Sequence, residues 1–84
     1  MASSLYKNHL IVSSADYFAG TSEWKPWVSI SWRDNGGQHL HTIHFATERF
    51  DTPAGAERFA TQSGQQWVDK RLASRQPETL VRSP

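Results

Sequence analysis

Apolar residues recur at every second position in the first half of this chain and at helical spacing in the second. Residues 24–32 (WKPWVSISW) carry the clearest signal. Trp24, Pro26, Val28, Ile30 and Trp32 share one face, and Lys25, Trp27, Ser29 and Ser31 share the other, as in a half-buried strand. Pro26 has no N–H to give to a ladder, which places it near the strand start or on an edge. Before it, residues 6–14 (YKNHLIVSS) read as one strand around Leu10, Ile11 and Val12. The connection 15–23 has turn chemistry in Asp16, Gly20, Thr21 and Ser22. Tyr17 and Phe18 within it either fold under the sheet or lengthen a hairpin.

After the central strand, Asn35-Gly36 predicts a tight hairpin with positive φ at both turn residues. A third strand follows over residues 38–46. Its alternation is poor, because Ile43 and Phe45 share a face with His39 and His41. Thr52-Pro53 predicts a helix start, since the threonine caps and proline lacks only an N–H that would be unpaired there. The helix is expected to end near Leu72. Ala56, Phe59, Ala60, Ser63 and Trp67 form its apolar stripe, with Arg58, Gln62, Gln65 and Asp69 opposite and Val68 and Leu72 off the stripe. Gly64 borders that stripe, which suggests close packing on the sheet. Trp24 and Trp32 on the strand meet Phe59 and Trp67 on the helix as the expected core.

Strands followed by a helix indicate an α+β fold: a three-stranded antiparallel sheet (β-β-β) and one C-terminal helix packed on one face. Residues 1–72 are read as a single βββα domain and residues 73–84 as a flexible C-terminal tail. The combination of Tyr6-Lys7-x-His9, Trp24-x-Pro26-x-Val28-x-Ile30, Phe50-x-Thr52-x-x-x-Ala56 and Gly64-x-x-Trp67-Val68-Asp69 resembles small uncharacterised proteobacterial proteins. The resemblance runs from about Leu5 to Leu72. It implies a βββα fold and a bacterial cytoplasmic setting, and it implies no activity.

Composition narrows the picture. The chain has 84 residues, so its core is small, and four Trp must supply much of it. Without cysteine, disulfides, iron–sulfur clusters and thiolate zinc sites are excluded, and a reducing cytoplasm is the expected compartment. No run of 18 apolar residues is present, and the first residues carry no signal-peptide pattern. A formal net charge of +1 argues against strong non-specific binding to nucleic acid.

Candidate chemistry is sparse. His39 and His41 point the same way from a strand and would need a third ligand, such as His9 or an acid, to hold zinc. His44 points to the opposite face. No His-Glu-x-x-His or Gly-x-Ser-x-Gly pattern occurs, and the acids are scattered, with Asp34 and Asp51 at turn or cap positions. Gly36-Gly37 is too short to cradle a phosphate. A histidine-based metal hydrolase is therefore the weakest reading, and no cofactor and no metal are expected.

The feature that points to function is aromatic and basic. Trp27 lies beside Lys25 on the face opposite Trp24, Arg33 continues its parity, and Tyr17 and Phe18 lie nearby in sequence. Such a face suits a protein partner or a homodimer. It also suits single-stranded nucleic acid, whose bases stack on aromatics between cations. The plain alternative is Trp27 packed under the Tyr17/Phe18 segment. The expected function is a non-catalytic protein-interaction or assembly accessory module, within a larger bacterial or phage-derived assembly. Trp27, Lys25, Arg33, Tyr17 and Phe18 are its candidate surface.

Overall fold

The computed structural model describes the backbone of residues 1–81 and the side chains of residues 1–74. The described residues form an α+β fold. Four strands, β1 (Ala2–Tyr6), β2 (His9–Phe18), β3 (Glu23–Asp34) and β4 (Gly37–His44), precede helix α1 (Pro53–Val81). The strands make an antiparallel meander in the order β1-β2-β3-β4, so β1 and β4 are its edges. No helix among the described residues is long and apolar enough to cross a membrane.

The fourth strand corrects the three-stranded expectation. Residues 6–14 are not one strand, because Lys7 and Asn8 adopt φ of 49° and 67° and turn the chain, leaving Tyr6 opposite His9. Positive φ at both central residues is the geometry that matches strand twist in a two-residue hairpin. Asparagine accepts it readily, and lysine seldom announces it. Tyr17 and Phe18 belong to β2, which pairs with β3 from Leu10↔Ser31 to Phe18↔Glu23 as one long hairpin. The Asn35-Gly36 hairpin is present, with Asp34 opposite Gly37. Its positive φ falls on Gly37 (113°) instead of on the turn pair. Asp34 accepts the Gly36 N–H at 2.8 Å, a side-chain bond that favours the ordinary turn over its mirror image.

Pro26 lies in a central strand, near its start as expected. Its carbonyl accepts the Phe45 N–H just past the last residue of β4, so the missing N–H falls where the β3–β4 ladder is ending. Trp24 and Phe50 then exchange both backbone hydrogen bonds, 2.8 and 3.0 Å, and tie the approach to the helix against β3.

The helix begins at Pro53, and Thr52 Oγ1 accepts the Gly55 N–H at 3.1 Å. It runs to Val81, past the end expected near Leu72; residues 82–84 of the expected tail lie outside the described residues. The residues pressed on the sheet are Ala56, Ala60, Gly64 and Val68, all buried and four apart. Val68, expected off the stripe, is thus part of the core, together with Ile11, Val28 and Ile30. Small side chains let the helix axis come close. A Cβ on Gly64 would lie 3.0 Å from Ile11 and 3.2 Å from Val28. Trp32 and Trp67 meet at 5.4 Å, as the expected core requires, while Phe59 packs on Phe45 and Phe50. Buried Ser13 accepts a hydrogen bond from Thr61 at 2.8 Å, so this serine is a structural group.

Candidate functional site

Strand register sorts the side chains into two faces. Beneath the helix lie Ile11 and Ser13 of β2, and Pro26, Val28, Ile30 and Trp32 of β3. Alternation puts Leu10, Val12, Asp16 and Phe18 of β2, with Lys25, Trp27, Ser29, Ser31 and Arg33 of β3, on the side away from it. Lys25, Trp27, Arg33 and Phe18 therefore share the open face. Tyr17 does not: it points to the helix side and packs on Trp24, 4.9 Å between ring centroids.

Trp27 is half-buried and is not covered by Tyr17 or Phe18. Its indole stacks on His44 of the neighbouring strand at 5.9 Å, and its N–H reaches Asp16 at 3.3 Å. Phe18 lies under two cations, with Lys25 Nζ 4.6 Å and the Arg49 guanidinium 5.8 Å from its centroid. Towards the other end, Ser29 and Thr42 share a hydrogen bond at 3.1 Å, and Arg33 donates to Gln38 at 3.1 Å. These are cross-strand pairs, each closing its row on the open face.

Three leucines were not among the sequence-derived candidates. Leu5 pairs with Leu10, Leu10 with Ser31, and Ser31 with Leu40, so one row crosses all four strands. Leu5 is 74 %, Leu10 43 % and Leu40 70 % exposed. The signal was the parity of Leu10 and Leu40 against Ile11 and Ile43. It was hidden because residues 6–14 read as one strand, which left Ala2–Leu5 without an element.

Three of the four histidines lie on the helix side, while His44 stays on the open face beside Trp27. His9, Trp32 and His39 form one row across the helix side, and Trp32 separates the two imidazoles, with ring centroids 5.2 Å away on each side. His41 stacks on Trp67 at 4.6 Å. The described residues contain no group of three His, Cys, Asp or Glu side chains able to hold a metal ion. His9 is buried, and its Nδ1 lies 2.7 Å from the Lys7 carbonyl, so this nitrogen carries the proton and donates it. His39 Nε2 donates to Asp34 at 2.9 Å. That bond, with the Gly36 N–H, holds the Asp34 carboxyl below the usual range. Lys7 does the same for Asp69 at 2.7 Å, helped by the Tyr6 hydroxyl, and is itself raised by the contact.

No family model matches the chain, and neither a curated protein nor a solved structure matches it.

Proposed function

We propose that this protein is a non-catalytic contact module whose open sheet face joins a second copy of the chain. The observation that supports it is the row Leu5, Leu10 and Leu40 on the same face as Trp27. Exposed apolar groups gathered on one surface of a small domain mark a contact site. The face suits its own copy. The leucine row lies towards one end of the face and Trp27 towards the other. A two-fold axis across the strands lays each end over its opposite in the partner, and brings leucines and Trp27 into one layer. The strands cover roughly 550 Å² of face, so two copies bury about 1,100 Å² in all, enough for a specific interface. The cysteine-free composition supports a cytoplasmic setting.

Single-stranded nucleic acid is the other reading of Trp27, Lys25 and Arg33. The leucine row argues against it, since aliphatic side chains offer bases no stacking surface and phosphates no charge. Sedimentation velocity tests the proposal. The unaltered chain is expected as a dimer, and Trp27→Ala and Leu10→Glu as folded monomers. A monomeric chain that binds an oligothymidylate, with affinity falling steeply as salt rises, would replace the dimer with the nucleic-acid reading.

A further inference from the structure

The sheet is left partly uncovered beside the helix. α1 lies over β2 and β3, and among the described residues none of its Cα atoms comes within 8 Å of a β4 Cα. Side chains alone bridge the gap: Trp67 onto His41, and Phe59 edge-on to Phe45, 5.0 Å apart. Between these contacts runs a groove of about 540 Å³ lined by Ile43, Phe45, Ser63, Gln66, Trp67, Asp69 and Lys70. Its floor and inner wall are apolar, and its rim is polar.

Among the described residues, the groove is continuous with an unpaired strand edge. The bond from the Phe45 N–H to the Pro26 carbonyl fixes the parity of the β3–β4 ladder. The backbone groups of 39, 41 and 43 face β3, and those of 38, 40, 42 and 44 point outward. An outward row of N–H and C=O groups is a template for another strand. The side chains of His41, Ile43 and Phe45 stand on the groove side of that same edge.

We infer that the β4 edge and this groove together bind one extended peptide segment of another protein, added as a fifth strand. The peptide backbone pairs with 38, 40, 42 and 44. Every second side chain drops beside Ile43, Phe45 and Trp67, so the segment alternates apolar and polar residues. Charge sets a further requirement. Lys70 is the cation on the rim, whereas the Asp69 carboxylate is drawn away to Tyr6 and Lys7, at 3.0 and 2.7 Å. Arg71 is engaged with the Trp32 ring at 4.5 Å and lies 3.8 Å from Asp34. The segment therefore carries an acidic side chain where it passes Lys70.

A second copy fits this edge less well. Pairing β4 with its own symmetry mate sets beside Lys70 a strand that carries no acidic side chain, since Gly37–His44 contains none. The site is separate from the open sheet face and does not depend on it.

The test is selection of random ten-residue peptides displayed against the full chain, with the selected peptides then titrated as synthetic acetylated, amidated molecules. Selected peptides are expected to alternate apolar and polar residues and to include an acid. Thr42→Pro removes an outward N–H and is expected to weaken binding by roughly tenfold or more, while Thr42→Ala leaves it intact. Lys70→Glu, a surface change, is expected to reverse the preference from acidic to basic peptides. No enrichment of alternating peptides would overturn the inference, as would binding indifferent to both Thr42→Pro and Lys70→Glu. Self-association that persists in Leu10→Glu and is abolished by adding Thr42→Pro would also overturn it, giving the edge to a second copy. Running the titrations on Leu10→Glu keeps the outcome distinct from that of the sheet-face dimer.

Discussion

The two faces of one sheet are built from the same strands and solve opposite problems. On the helix side, Ile11, Val28 and Ile30 meet a line of small residues, Ala56, Ala60 and Gly64, and water is shut out. On the other side, alternate residues of those strands leave Leu5, Leu10 and Leu40 open to solvent. The difference is that the chain covers the centre of its sheet by itself on the helix side, whereas on the proposed reading a second copy covers the open face.

Deleting side-chain volume from each face gives the widest contrast. Ile30 is fully buried, and Ile30→Ala should cost about 2–5 kcal/mol, a large share of what a domain this size possesses. Leu40→Ala on the open face should change the stability of the dissociated monomer by less than about 0.5 kcal/mol. Chemical denaturation of both variants at low protein concentration checks the pair. An equal loss in both would mean that the open face is packed in the monomer.

Gly64→Ala is the next largest test. Alanine is favoured over glycine in a helix by about 1 kcal/mol. Here the added methyl would sit 3.0 Å from Ile11, and relieving such overpacking costs typically 1–3 kcal/mol. The expected net effect is a lower melting temperature. A higher one would show that the helix has room to lift off the sheet.

Much of this contrast was legible in the chain. The parity of β3 put Trp27 and Lys25 opposite Val28 and Ile30, Thr52-Pro53 marked the helix start, and Gly64 flagged the close approach. The first hairpin was not legible. Its turn is Lys7-Asn8, without glycine, and β1 (ASSLY) has few β-formers, so its pairing with β2 supplies what local preference lacks. With that hairpin hidden, Leu5 and Leu10 could not be seen as neighbours. Val68 was missed because the stripe was centred on the large residues Phe59 and Trp67. The helix is in fact seated on its smallest ones, and Phe59 and Trp67 flank the contact on the β4 side. The histidines promised a ligand set that Trp32 divides.

Acid gives a smaller effect. The carboxyls of Asp34 and Asp69 are held below their usual range by His39 and Lys7 respectively. A depressed folded-state value contributes stability that is present above the unfolded carboxylate range and is lost as pH falls through the folded one. Stability should therefore decline below about pH 4, where Asp69 protonates and its links to Lys7 and Tyr6 weaken. Asp69→Asn should flatten that decline in a pH series of denaturation midpoints. A series with the same slope in both proteins would remove Asp69 from the account.

Sedimentation velocity on the purified chain beside Leu10→Glu tests the central claim most directly. The account predicts a dimer for the unaltered protein, and for the variant a monomer of about half that mass with an unchanged circular-dichroism spectrum. A single 9.5 kDa species for the unaltered chain across the micromolar range, or a dimer that the glutamate leaves untouched, would contradict it.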